Sequence, residues 1–510
     1  MSFAKILKLQ KMLRKNITKF ALHSAATGVL TLCGCTMIPE YENPNNTFGR
    51  EKLEEPKFKH AAELWKSAKP ADDLPKGEWW SVFGDEKLNG LIKLCDKNNP
   101  DIAAAFHRVE RAREAAFMSQ SELYPHVASA DYYKRDGRTE NQAPVATGTY
   151  SSWVVGLGTT WDLDLFGRIQ SLVVRDRALA QATYNTYRNL MLALHARVAS
   201  EYFALRQFES EIELLKKTLD VRKKQSEFVA KRKMLKFASG VDLSRAKLQE
   251  SEAAAELKSL LRRRDACANR LAILVGESPS KFKIECEPLR ESLPKIPSVV
   301  PSQLLERRPD IAAAEREVFA ANAKIGSDTA AFFPTVSITG EVGFGANKIE
   351  NLLGASSLAW GVSPQVYIPV FQAGKIYAQK QADLALYRES VERYKSKVLA
   401  AIEEVETALS NLSNMRGEYA ERVKTTNYAK QVQSFTRREY ELGNQDYFAV
   451  SDAQRQALLH EREQIKLLGA RYRECVVLVM SLGGGWTSST DTPPPNKHMY
   501  ESATPKPDCE

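Results

Sequence analysis

The chain has 510 residues, of which 43% are hydrophobic and 26% charged, and a formal net charge of +9. The length exceeds the usual single-domain range, and the charge excess is modest for the size. No basic cluster is interleaved with aromatic residues or set in a nucleic-acid motif, so a nucleic-acid partner is excluded as the organising function.

The N-terminus reads as a leader. Lys5, Lys8, Lys11, Arg14, Lys15 and Lys19 precede a short apolar core from Phe20 to Leu32. That core is too short to cross a bilayer as a stable helix. It ends in Leu32-Cys33-Gly34-Cys35, which resembles a bacterial lipoprotein box. The expectation is a signal peptide over 1–34 and a lipid attached at Cys35, carried as N-palmitoyl and S-diacylglycerol groups. Cys33 departs from the small residue usual at its position, and a cleaved leader without lipid is the competing reading. Thr36 is not the Asp that resembles an inner-membrane retention signal, which favours the outer membrane. No other cofactor is expected. The remaining cysteines form no C-x-x-C pair with His partners, so no metal or redox framework is expected either. Cys267 and Cys475 fall at matching places in the two halves and read as buried small side chains.

Residues 35–85, polar and rich in Pro and Asn, read as an extended linker anchored by Trp65, Trp79 and Trp80, and Lys87 to Lys97 reads as an amphipathic helix. Then comes PDIAAAFHRVERAREAAFMSQSELYP, from Pro100 to Pro125, which has a twin from Pro309 to Pro334, PDIAAAEREVFAANAKIGSDTAAFFP. A shared opening, spacing and ending mark an internal two-fold repeat. The halves fall at 86–290 and 291–486, and residues 487–510 form a polar, Pro-rich tail.

Each twin leads into alternating apolar and polar residues, predicting strands at about 126–133 and 152–165, then 335–344 and 360–370. In a secreted chain this pattern suits a membrane β-barrel with lipid outside and water within, or a soluble sandwich. Four strands are too few for a barrel of useful bore, so several chains would share one. Asp162 and Asp164 share the polar face of their strand. Long tracts without proline follow, predicting helices over about 169–238 and 376–442, each roughly 100 Å at 1.5 Å per residue. Gly240 and Gly443 are read as ending them, with returning helices from Val241 to Leu274 and Tyr447 to Met480. Apolar positions recur at three and four (Leu190, Leu194, Val198, Tyr202, Leu205; Val398, Ile402, Val405, Leu409, Leu412), as coiled-coil packing requires.

Five phrases carry a family resemblance: WDLDLFGR at 161–168, LLERRPDI at 304–311, AFFP at 331–334, DAQR at 452–455 and LGGGW at 482–486. Together they resemble the TolC-like outer-membrane efflux proteins, in particular the lipoprotein branch serving resistance-nodulation-division multidrug pumps, over nearly all of Cys35 to Trp486. The resemblance implies a mixed α and β membrane protein. Its long antiparallel coiled-coil helices would form a periplasmic α-barrel, and four strands per protomer would join one twelve-stranded β-barrel in a homotrimer. It implies passive conduction of small molecules from an inner-membrane transporter and a periplasmic membrane-fusion adaptor, through outer-membrane lipid, to the exterior. A periplasmic gate is implied where the helices turn: an apolar ring at Phe448, an acidic ring at Asp452, and polar links at Tyr440 and Arg455. Ala449 stands where other members carry a second acid. From the residues alone, ordinary coiled-coil core is the stronger reading of Phe448, and a solvated face or a pair with Arg455 the stronger reading of Asp452. No P-loop, nucleophile elbow or H-E-x-x-H occurs, so an enzyme is not expected. A duct for type I protein secretion and a lipid-anchored scaffold without a pore are the other readings.

Overall fold

The computed structural model describes residues 36–44, 79–138, 148–294 and 308–484. The expected signal peptide, Cys35, most of the expected linker with Trp65, and the expected tail with Cys509 lie outside the described residues. The chain divides into two compact units, one made of Met1–Asn43, Arg108–Thr183 and Ala313–Tyr394, the other of Pro44–His107, Tyr184–Ala312 and Lys395–Glu510.

The first unit holds one antiparallel sheet of β1 (His126–Ser129), β2 (Tyr132–Arg138), β3 (Gly148–Leu163), β4 (Thr335–Ala346) and β5 (Leu358–Tyr367). β1 and β2 both pair with β3 in one unbroken register, from His126 opposite Thr160 to Arg138 opposite Gly148. The interruption falls at Ala130 and Asp131, where the Asp131 carboxylate accepts the Gly156 N–H at 3.1 Å in place of a strand carbonyl. The first expected strand is therefore longer, and it comes in two pieces. At Gly156 an added Cβ would stand 2.9 Å from the Gly343 Cα, so β3 and β4 approach there more closely than any side chain would allow.

The register turns sequence alternation into two continuous faces. On one, Val155, Phe344 and Leu358 form a row, followed by Leu157, Val342 and Trp360, and by Trp161, Ile338 and Pro364. On the other lie Gly158, Glu341 and Gly361, then Thr160, Thr339 and Ser363, then Asp162, Ser337 and Gln365. The apolar face is uncovered, with Trp360 75% exposed.

β3 stops at Leu163, so Asp164 does not share the strand's polar face with Asp162. Its carboxylate instead accepts the Gln170 N–H at 2.6 Å in the first turn of the following helix, where unpaired backbone donors favour an acid. Phe166 and Phe333 stack at 4.9 Å beside this junction.

Helices supply the rest: α1 (Glu86–Asn98), α2 (Pro100–Ser121), α3 (Arg168–Met234), α4 (Gly240–Leu274), α5 (Pro309–Ala330), α6 (Lys375–Glu441) and α7 (Tyr447–Ser481). In the second unit the core gathers Leu88 and Ile92 of α1, Val198, Tyr202 and Leu205 of α3, Leu271 of α4 and Val476 of α7. Trp79 and Trp80, the end of the expected linker, are part of this core within a short 3-10 helix. Cys267 and Cys475 are buried. Asp85 caps α1 by accepting the Lys87 and Leu88 N–H groups, and Asn99 caps α2 through Asp101 N–H at 2.8 Å.

The LLERRPDI phrase ends in a buried charge knot. The Arg308 guanidinium meets both Asp310 carboxylate oxygens at 3.1 and 2.8 Å, reaches Glu404 at 2.7 Å and donates to the Ser481 carbonyl at 3.0 Å. Burial alone would raise the Asp310 carboxyl, but the paired guanidinium outweighs it and holds the group below its ordinary value.

Two outcomes follow from this packing. Leu205→Ala empties a fully buried site, so thermal unfolding should show a loss of about 3 kcal/mol. Asp310 has a depressed folded pKa, so its contribution is full above the ordinary carboxylate value of about 4 and fades as pH falls through the lower folded value. Asp310→Asn should therefore flatten the acid limb of the stability curve measured below about pH 4.

Candidate functional site

The candidate gate residues sit where α6 turns into α7, Tyr440 on α6 and Phe448, Asp452 and Arg455 on α7, and the matching turn from α3 into α4 lies in the same second unit. Both turns use the same geometry. Phe237 N–H donates to the Arg232 carbonyl and Lys236 N–H to that of Lys233; in the other turn Asn444 reaches Glu439 and Gly443 reaches Tyr440. This paired pattern closes a helix through one left-handed residue. That residue is Gly443 in the second turn, with φ 85°, but Lys236 in the first, with φ 65°. Gly240, expected to end the first tract, instead opens the returning helix, and the tract ends at Met234.

Each returning helix starts on a side-chain cap. Ser239 and Asp242 form a reciprocal box, with Asp242 N–H to Ser239 Oγ at 3.1 Å and Ser239 N–H to Asp242 Oδ2 at 3.0 Å. Asp446 accepts the Ala449 N–H at 3.0 Å. Ala449 occupies the position of Asp242 in the matching phrase, so the second cap has no return bond.

Tyr447 is the centre of the site. It is 2% exposed and packs with Val229 and Ala246. The Tyr440 ring meets it edge-on at 5.7 Å, and the Arg232 guanidinium lies 5.1 Å over the Tyr440 ring. Burial pushes the Tyr447 phenol up to about 12, with Tyr440 adding to the shift. Phe448 is 55% exposed, so it is not core within the protomer, and the Arg245 guanidinium covers one face of its ring at 5.0 Å. Asp452 pairs with Arg455 at 2.7 Å, the arginine side chain exposed and the aspartate half-buried. The structure thus joins Asp452 to Arg455 and Tyr440 to Tyr447 and Arg232, while Phe448 stands apart from both groups.

A polar layer underlies the turns. Arg222 donates to the Gln249 carbonyl at 2.8 Å, Gln249 Nε2 to the Ser451 carbonyl at 3.1 Å, and Gln454 Nε2 to Gln225 Oε1 at 2.8 Å. Arg222, Arg232, Arg245, Gln249 and Tyr447 were not legible as site residues from the sequence. One signal was present: aligning the phrases at 239–249 and 446–456 puts Arg245 opposite Asp452, a charge reversal at a repeated position.

With this geometry in view, comparison with known proteins settles the class. Residues 91–277 and 300–484 match the outer membrane efflux protein family, and the chain belongs to it. It is an outer-membrane efflux channel protein of the cell outer membrane, a kind of protein that is not an enzyme. It is 29% identical over 487 residues to the solvent efflux pump outer membrane protein SrpC of Pseudomonas putida, covering 93% of this chain and 99% of that one. It is 26% identical to the cation efflux system protein CusC of Escherichia coli, covering 90% and 97%. The solved outer-membrane channel OprN superposes with a TM-score of 0.81 at 26% identity, over 89% of this chain and all of that one.

A phenol raised by burial contributes stability that is full below its ordinary pKa of about 10 and is lost as pH rises towards the folded value. The ultraviolet titration difference between wild type and Tyr447→Phe should accordingly show one tyrosine ionising near pH 12.

Proposed function

We propose that the chain is the exit duct of a tripartite efflux system. Three copies would close one twelve-stranded barrel in the outer membrane and line a periplasmic tube with their helices. A lipid on Cys35 would anchor each copy. A periplasmic membrane-fusion adaptor and an inner-membrane transporter would deliver small molecules and supply the energy. The observation that carries this reading is the row-by-row apolar face of β1–β5, uncovered in the protomer and backed by a face of glycine, threonine and acid. Lipid suits the first face and water the second. The matching lengths of α3 and α6, 67 residues each, and of α4 and α7, 35 each, support a duplication as the origin of the two halves.

Closure is assigned to the turns. Phe448 would form the apolar constriction and Asp452 the acidic ring one helical turn away, with Tyr440 and Arg455 holding the turns together. Three carboxylates around a narrow axis repel one another and attract cations. The relatives' names speak of solvents in one case and cations in another. That range fits a duct that takes its cargo from its pump.

Single-channel conductance in planar bilayers tests the reading, with wild type beside a Phe448→Ala, Asp452→Ala double variant. The expected result is a small, cation-selective conductance that rises several-fold in the variant. Equal, large conductance in both would move the gate elsewhere, and no conductance from folded, inserted protein would leave only a scaffold.

A further inference from the structure

The residues just behind the expected lipid site lie along one stripe of α5. Glu315, Phe319, Asn322 and Gly326 recur at four, three and four, which places them on one helical face. Tyr41 donates its hydroxyl to Glu315 Oε1 at 2.7 Å, and its ring meets Phe319 edge-on at 4.9 Å. Asn322 Nδ2 donates to the Pro39 carbonyl at 2.9 Å. At Gly326 an added Cβ would stand 2.8 Å from the Ile38 Cα, so the backbone of the segment lies in a notch that only glycine leaves open. Burial raises the Tyr41 phenol, and its Glu315 acceptor adds to the shift. A ring, two hydrogen bonds and a bare glycine in helical register make a built dock.

The direction of the segment gives the dock a purpose. From Tyr41 back to Ile38 it travels towards the C-terminal end of α5. Gly326 lies about 6 Å of helical rise before Ala330, the last residue of that helix. Pro334 then leads into β4 at Thr335. Ile38 is three chain steps from Cys35, a reach of at most about 11 Å for any chain.

We infer that the α5 stripe is a dock that ties the lipid-bearing end of the chain to the start of β4, so that the acyl chains and the apolar face of the sheet enter the membrane at one depth. The inference rests on the reading of Cys35 as lipidated. Only one register is open to the docked segment, because Gly326 alone on the stripe lacks a side chain. The effect is to make insertion a joint event of acyl chain and sheet.

The test uses the full-length protein produced in a Gram-negative host. Two variants loosen the dock by opposite means: Gly326→Val fills the notch, and Tyr41→Phe with Asn322→Ala removes both hydrogen bonds without adding bulk. Mass spectrometry of the N-terminal peptide reports acylation, limited proteolysis reports exposure of residues 36–43, and resistance to urea extraction from outer membranes reports insertion. Wild type and both variants should be acylated alike. The variants should be cleaved in the segment roughly tenfold faster, the scale expected when a local opening loses its hydrogen bonds. Their urea-resistant fraction should fall while their helical circular dichroism stays that of wild type. Acylated variants with a loosened segment and undiminished insertion would overturn the inference alone. An unmodified Cys35 in wild type would overturn the lipid reading, and this inference with it.

Discussion

A β-sheet in hydrocarbon must pair every backbone N–H and C=O, and an open sheet leaves two edges that do not. Most of the rest of this protein depends on that constraint. The β1/β2 ribbon and β5 are edge strands within the protomer, yet their residues on the apolar face suit lipid: Tyr133 and Val127 at one edge, Trp360, Val362 and Val366 at the other, all exposed. Copies of the same chain, adding their own edges in sequence, remove the problem without any new kind of strand. The proposed trimer is the arrangement in which the edges and the face are satisfied together.

The helices obey a different economy. A pair of 67-residue helices has no wide core to bury, so packing is narrow and depends on small residues and a few large ones: Ala178 and Ala182 low on α3, then Val198, Tyr202 and Leu205 further along. Charged groups inside this packing are matched by opposite charges or carbonyls. Arg308 has three such partners, and Arg206 donates to both Glu209 and the Glu285 carbonyl. A buried pair of this kind adds little net stability over an apolar one, but losing one member leaves a stranded charge. Such pairs hold helices in one register. The turn into α7 is built oppositely, with Phe448 and Arg455 exposed and Asp452 half-buried.

Much of this was legible in the sequence because it is periodic. Helix ends came out within a few residues, and strand faces came out in the right order, since alternation needs no partner to be seen. What escaped were features that depend on a neighbour distant in sequence. Asp131 interrupts its strand because it takes the Gly156 donor, and nothing near residue 131 announces that. Asp164 left the strand for the helix cap for a similar reason: Gly167 and Arg168 begin a helix whose free N–H groups compete for it. At the first turn, glycine was the expected stop, but the left-handed place falls on Lys236, a residue type with no preference for it. The gate candidates came from resemblance, while the layer beneath them, Arg222, Gln249 and Tyr447, joins helices that are far apart in the chain.

The shared register has a consequence for how such a chain can vary over time. Each row across the sheet draws one residue from three or four strands, so inserting or deleting one residue within β3 or β4 would turn every later side chain to the wrong solvent. Changes of two residues preserve the faces and merely shift the rows. Length should therefore drift in even steps inside strands and freely between them, as in the stretch joining β2 to β3 or the one joining β4 to β5.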